Sequence, residues 1–285
     1  MTSAAPSAAA TDSLLRFETV SLHFDETVAL DAVSFEMFAG ETRVILGAAG
    51  SGKTTLLKAA IGLIQPDSGR VYLFDQEITG LKENQLFDIR SKVGVLFQEG
   101  GLFDSMTVAD NVEYPLVNQA AHHEEISHNG NLEERVREAL RFVELEHTLD
   151  KFPNELSGGM RRRVGIARAV VTAPALVLYD SPTAGLDPIT ANTIINLIIK
   201  ERDLRNTAAI IVTYRFQDGH LVANFRYNPN SGHIEPAARV DSIQGGAEDP
   251  LKTEFLVMNE GRLVFEGSQE ELRAAHDPYI RKFVK

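Results

Sequence analysis

Cysteine and tryptophan are both absent from the 285 residues, and aromatic residues make up only 7% of the chain. Without cysteine there can be no disulfide scaffold, no thiolate zinc site and no cysteine nucleophile. The absence fits a reducing compartment. Long hydrophobic runs are also missing. The longest candidate, residues 169–179, has 11 positions and carries Pro174, well short of the ~18 apolar residues of a membrane helix. Basic charge is in deficit, with 28 Lys and Arg against 40 Asp and Glu for a formal charge of −12. Such a chain gains nothing from non-specific attraction to a phosphate backbone. The acidity reads as solubility. Residues 1–13 hold no basic side chain and no apolar core. They read as a disordered tail, not as a signal peptide.

The chain is 44% hydrophobic, too apolar for disorder. Its length suits one large domain or two modest ones with a sizeable core. Strands are expected at 14–24, 32–38, 41–46 and 70–74, from their alternating or continuous apolar pattern. A turn is expected at Asp25-Glu26-Thr27, and a helix at 56–63. From about 81 to 169 the pattern is helical, apart from a strand at 93–97. Within it, Leu132, Val136, Leu140 and Val143 fall on one helix face. Apolar runs at 176–179 and 208–213 read as buried parallel strands flanking a helix at 189–202. Strands alternating with helices indicate an α/β core. The stretch 225–250 breaks this rhythm with Asn-Pro-Asn-Ser-Gly, Glu-Pro and Gly-Gly, and reads as an irregular insertion or a short hairpin. A second hairpin is expected at 254–258 and 262–265, around a three-residue turn Asn259-Glu260-Gly261.

Gly47-Ala48-Ala49-Gly50-Ser51-Gly52-Lys53-Thr54 fits the pattern G-x-x-x-x-G-K-[ST]. It follows an expected strand and opens an expected helix, the context that gives the motif meaning. Glycines let the backbone curl so that successive N–H groups point at phosphate oxygens. The helix start adds partial positive charge. Lys53 supplies a mobile full charge to the β- and γ-phosphates, Thr54 offers a hydroxyl to Mg²⁺, and Thr55 joins the cradle. A carboxylate must complete the metal site. Asp180 ends the apolar run Ala175-Leu176-Val177-Leu178-Tyr179, where α/β sheets bind ligands.

Further segments narrow the class. Gln98 follows the strand at 93–97. Leu156-Ser157-Gly158-Gly159-Met160 precedes the Asp180 strand by about twenty residues, and Gly185-Leu186-Asp187-Pro188 follows it. This order resembles the nucleotide-binding subunits of ABC transporters, over about 14–216 and 254–284. The resemblance implies a P-loop ABC ATPase cassette with a β-rich N-terminal subdomain and an inserted α-helical subdomain, spanning 14–285. It implies ATP and Mg²⁺ as ligands, with Thr54, Gln98 and Asp180 around the metal. It also implies head-to-tail pairing of two cassettes, in which Ser157, Gly158 and Gly159 of one copy face the γ-phosphate held by the other, with Asp187 also among the nucleotide-binding residues. Phe24 falls where the family places an aromatic on adenine. Lys53, Gln98, Asp180, Ser181 and Tyr214 then occupy the catalytic positions.

Residues 96–116, Met160, Asp187-Pro188-Ile189-Thr190 and the ending from Glu266 look like the ATPase subunit of Mla/Mce-type phospholipid transporters. That resemblance implies an integral membrane permease on another chain, an Mce-type lipid-binding protein in the complex, and a peripheral location on the cytoplasmic side of the inner membrane. Soluble ABC proteins of translation or DNA repair fit less well, because there is one cassette and no long coiled coil. No nucleic-acid partner is expected.

Two positions depart from the family. Ser181 stands where the family usually carries Glu, which polarises the attacking water. Tyr214 stands where it usually carries His, with His220 the nearest imidazole in sequence. A serine hydroxyl and a phenol are poor bases at neutral pH. ATP binding should survive while hydrolysis slows, since a positioned general base contributes typically 10²–10⁴-fold. The alternative is a hydrolysis-deficient, ATP-binding switch that regulates a partner. Glu99, next to Gln98, and Asp187 are the acids that could substitute for the missing one. His122, His123, Glu124, Glu125 and His128 read as a solvated loop, and Arg161-Arg162-Arg163 as charge near the nucleotide or a solvated face.

Overall fold

The computed structural model describes residues 13–118, 132–237 and 252–284. Two sheets organise it. The first is antiparallel, in the order β2-β1-β4-β5, formed by β1 (Ser13–Phe24), β2 (Thr27–Phe38), β4 (Ser68–Leu73) and β5 (Gln76–Glu77). The second runs β12-β11-β3-β8-β7-β6. It comprises β3 (Thr42–Gly47), β6 (Val93–Leu96), β7 (Leu176–Asp180), β8 (Ala208–Thr213), β11 (Thr253–Asn259) and β12 (Arg262–Gly267). All neighbours in it pair parallel except β12, which runs antiparallel to β11.

The parallel strands are buried on both faces, so they are nearly continuous apolar runs. Successive side chains point to opposite faces, and the core divides accordingly. Ile45, Leu176, Leu178, Ile210, Val212 and Leu256 pack with the antiparallel sheet and α1 (Lys53–Ala60). On the other face, Val177, Tyr179, Ala209 and Ile211 pack with α3 (Val108–Asn118), α4 (Leu132–Phe142), α5 (Gly158–Val170) and α6 (Pro188–Arg205). Val44, Leu46, Phe255 and Val257 meet a third cluster from α7 (Phe216–Asn224), α8 (Gln269–Ala274) and the segment to Val284. A short helix α2 (Glu83–Arg90) precedes β6.

Several elements differ in extent from the pattern-based expectation. The strand expected from 32 begins at Thr27, because Phe24 pairs with Thr27 around a two-residue turn. Thr27 and Val28 are exposed at the hairpin tip, so they carry no alternation to read. Helix α1 starts at Lys53 and ends at Ala60, not at 63; Gly62, at φ +67°, turns the chain out of it. The three-residue turn at 259–261 is a two-residue one, since Asn259 pairs with Arg262. Glu260 and Gly261 have φ of +47° and +80°, the left-handed pair that matches hairpin twist. In the irregular stretch, β9 (Phe225–Asn228) and β10 (His233–Pro236) form a hairpin. Residues 238–251 and the His122–His128 cluster lie outside the described residues. Helix α8 begins at a capping box in which the Ser268 hydroxyl accepts from Glu271 N–H and the Glu271 carboxylate accepts from Ser268 N–H, a local signal.

Strand β6 joins the sheet only because Gly94 has no side chain. A Cβ there would sit 2.1 Å from the Ala169 carbonyl oxygen in the α5 backbone. Gly94→Ala is therefore expected to destabilise the fold by about 1–3 kcal/mol, read as a lower urea midpoint.

Candidate functional site

Every candidate group on a strand end lies at the carboxyl edge of the parallel sheet, where α/β sheets place ligands. The Gly47–Thr54 loop links β3 to α1, Asp180 ends β7, Tyr214 follows β8, and Gln98 lies just beyond β6. The loop, Gln98 and Tyr214 line a cleft of 680 Å³, within the range of small-molecule sites, and Asp180 lies buried behind Thr54.

The loop is shaped by backbone constraints. Gly52 has φ +100°, and a Cβ on it would stand 2.3 Å from the Ala29 carbonyl oxygen. Only glycine can lie there, and its fit against β2 brings the antiparallel sheet over the cleft. Phe24 and Val28 are 48% and 43% exposed and line the cleft wall, so an apolar face stands open beside the loop. Gly50 has φ +78° and open space around it, with Ala49, Gly52, Lys53, Thr54 and Thr55 sharing the lining. Gly47, Ala48 and Ser51 shape the loop from behind.

Lys53 is held inside the loop. Its ammonium donates to the Gly47 and Ala48 carbonyls at 2.9 and 2.6 Å and to Ser51 Oγ at 3.0 Å. These use all three of its donors. Burial lowers its pKa below the usual lysine value, and the nearby Asp180 carboxylate opposes that shift. Thr54 Oγ1 donates to Asp180 Oδ2 at 3.0 Å across 126 residues, and Ser181 Oγ donates to Asp180 Oδ1 at 3.1 Å. Hydroxyl, carboxylate and the nearby Gln98 make a hard-oxygen donor set, the chemistry that suits Mg²⁺.

Ser181 and Tyr214 both line the cleft. Ser181 sits at φ +51°, with its N–H bonded to the Val212 carbonyl at 2.9 Å. Its hydroxyl is spent on Asp180. His220 does not reach this cleft. Its Nδ1 lies within hydrogen-bond distance of Asn224, Gln269 and Arg273 side-chain nitrogens, where it ties α7 to α8. Behind the site, buried Asp218 Oδ2 accepts from Thr183 Oγ1 at 2.5 Å and Thr213 Oγ1 at 2.8 Å. That carboxylate joins the loops carrying Ser181 and Tyr214. Burial pushes its pKa up, against the pull of the two hydroxyls. The sequence marks Asp218 by no motif.

Ser157, Gly158, Gly159 and Asp187 do not border the cleft. They gather on a second surface. Ser157 Oγ caps α5 by accepting from Met160 N at 3.2 Å, and Asp187 caps α6 by accepting from Ile189 N and Thr190 N at 3.0 Å. The two helix starts are packed so closely that a Cβ on Gly159 would stand 2.5 Å from Thr190 Cγ2. Asp187 is thus a capping residue here, and its bonds to Thr190 and Ile189 hold its pKa below the usual carboxylate value.

A phosphate loop opening a helix, a strand-end carboxylate within hydrogen-bond distance of the loop threonine, and a separate serine-glycine helix start define a P-loop ATPase cassette. The ABC transporter family model matches residues 30–184, and the chain belongs to that family. It is an ABC transporter ATP-binding cassette, an ATPase. Among curated proteins it is 38% identical over 247 residues to methionine import ATP-binding protein MetN 2 of Rhodococcus jostii, covering 85% of this chain and 71% of the relative. The MetN of Corynebacterium efficiens is 40% identical over 254 residues, 84% of this chain and 69% of the relative. The MetN of Carboxydothermus hydrogenoformans is 39% identical over 189 residues, 66% of this chain and 54% of the relative. Among solved structures, the cassette MJ0796 in a dimeric post-hydrolysis state with ADP and Pi superposes with a TM-score of 0.69 at 27% identity, covering 90% of this chain and 98% of that one. Clostridium perfringens cbiO1, part of the ABC transporter complex cbiONQ, gives 0.71 at 27% identity, covering 92% and 91%. The family is the one the motif order resembled. These relatives bear the name of methionine import, so they lend no support to the phospholipid-transporter subtype.

Because Lys53 has a lowered pKa, its charge should be lost at lower pH than an ordinary lysine's. ATP affinity is therefore expected to fall as pH rises, with the decline setting in below 10.5, the ordinary lysine value. Fluorescence anisotropy of labelled ATP checks this. A decline that begins only above that value would contradict the shift.

Proposed function

We propose that the chain is the energising subunit of an ABC importer, binding Mg²⁺-ATP between two copies of itself while hydrolysing it slowly. The observation that carries the slow turnover is the pair Ser181 and Tyr214. Both border the cleft, and neither brings a carboxylate or an imidazole to it.

In this reading Lys53 leaves its loop carbonyls for the β- and γ-phosphates, and backbone N–H groups of 50–55 hold the remaining phosphate oxygens. Phe24 presents its open face to the adenine. Thr54, Gln98 and Asp180 hold the Mg²⁺, which would neutralise phosphate charge. Ser157, Gly158 and Gly159, backed by the Asp187 turn, offer a hydroxyl and free N–H groups to the nucleotide of a second copy. The dimeric state of MJ0796 supports that arrangement. Water activation is left without its usual base, so binding and dimerisation can run ahead of hydrolysis. The membrane span would belong to a permease on another chain, since no helix of the described residues is long and apolar enough to cross a membrane. In this reading the cassette sits peripherally at the cytoplasmic face.

For the cargo, the names of the relatives point to methionine import. A phospholipid cargo and an Mce-type partner rest only on the resemblance of 96–116, Met160, Asp187-Pro188-Ile189-Thr190 and the chain's ending. The cassette binds ATP and not the cargo, so the cargo must be tested on the complex. In proteoliposomes carrying the co-purified permease, ATP-dependent uptake of labelled methionine is the expected result. Movement of labelled phospholipid instead would overturn the cargo assignment.

Steady-state ATPase measurement of the dimeric cassette tests the turnover. Ser181→Glu is expected to raise kcat by up to about 10²–10⁴-fold, the range of a positioned general base. A wild type that already turns over at a few per second, with no gain in the variant, would remove the slow-hydrolysis reading.

A further inference from the structure

The C-terminal segment is hydrogen-bonded to the root of the phosphate loop. The β11–β3 ladder ends with Met258 opposite Gly47. The next loop residue, Ala48, has left the sheet. Its N–H donates at 3.1 Å to the Tyr279 hydroxyl, which in turn donates at 2.9 Å to the Met258 carbonyl. A side-chain oxygen from 231 residues away thus takes the place of the missing rung. Space there is tight, since a Cβ on Gly47 would stand 2.7 Å from the Met258 carbonyl oxygen.

Tyr279 is itself fixed by its own segment. Asp277 Oδ1 accepts from Tyr279 N at 2.7 Å and Ile280 N at 3.2 Å. Its ring meets Phe283 edge-on at 5.3 Å between centroids. Ile280 and Leu272 seat the segment on the outer face of β3 and β11, against Val44, Leu46 and Phe255. Hydroxyl, ring and segment therefore move as one unit.

From this we infer that Tyr279 is a positioning residue for the phosphate loop, through which docking of the C-terminal segment and nucleotide binding are coupled. The inference rests on the proposed ATP-binding role of the loop. The physical reason is that Ala48 N–H is a strong donor at the root of the loop. With an acceptor present, the root is pinned to the end of β11. Without it, the root samples other orientations, and only a fraction of molecules offer the N–H groups of 50–55 in the binding arrangement. Apparent affinity falls by that fraction. Coupling of this kind is reciprocal, so bound nucleotide must in turn favour the docked segment. Anything that lifts residues 277–284 away, such as a partner seated on that face, would weaken nucleotide binding without entering the cleft.

The test uses the full-length chain. Tyr279→Phe keeps the ring and removes only the hydroxyl. Asp277→Ala loosens the segment without touching the loop. Both are expected to weaken labelled-ATP binding about 3–10-fold, the effect of one lost hydrogen bond. In hydrogen exchange, ATP should slow the amides of 277–284 in the wild type and leave them unchanged in Tyr279→Phe. A purely structural tyrosine would lower thermal stability equally with and without ATP. Affinity within twofold of wild type in Tyr279→Phe, or wild-type amides of 277–284 indifferent to ATP, would overturn the inference. Failure of the wild type to bind ATP would instead overturn the functional reading beneath it.

Discussion

The parallel ladder β11-β3-β8-β7-β6 must be covered on both faces, and most of the molecule follows from that requirement. Its strands are apolar at nearly every position, so any uncovered face would leave apolar surface in water. The antiparallel sheet with α1 covers part of it, the helices α3 to α6 another part, and α7, α8 and the chain's ending the rest. These coverings leave the carboxyl edge accessible, and the nucleotide cleft lies along it.

The same arrangement explains how a site can be split between two kinds of chemistry. Phosphate and metal groups sit on strand ends and on the first turn of α1, rigid positions that neighbouring strands hold in place. Ser181, Tyr214 and the Asp187 turn sit on loops just beyond those ends. Loops accept substitution more readily than strands do. The loop threonine, its carboxylate and the Asp218 bracket hold together beside the loops that carry Ser181 and Tyr214.

Much of the architecture was legible along the chain. Apolar runs of four to six residues marked β3, β7 and β8 because burial on both faces removes polar residues from them. The phosphate loop was legible because its glycines answer a local steric need. Elsewhere the pattern was thin. The tip of β2 is exposed, so its strand could not be read from alternation. The β11–β12 turn was off by one residue because Asn259 is a turn residue by composition but a paired strand residue by register. Asp218 and Tyr279 carry no motif, since each reaches a partner remote in sequence, Thr183 and Ala48 respectively.

The sequence by itself determined the ligand class and the residue types at positions 181 and 214, because glycine geometry, a lysine and side-chain basicity are properties of residues and their immediate neighbours. Tertiary structure decided which distant atoms meet: Thr54 with Asp180, Thr183 and Thr213 with Asp218, Ala48 with Tyr279. Strand order sets those meetings, and it arises from packing whole faces against one another. Local spacing does not encode it.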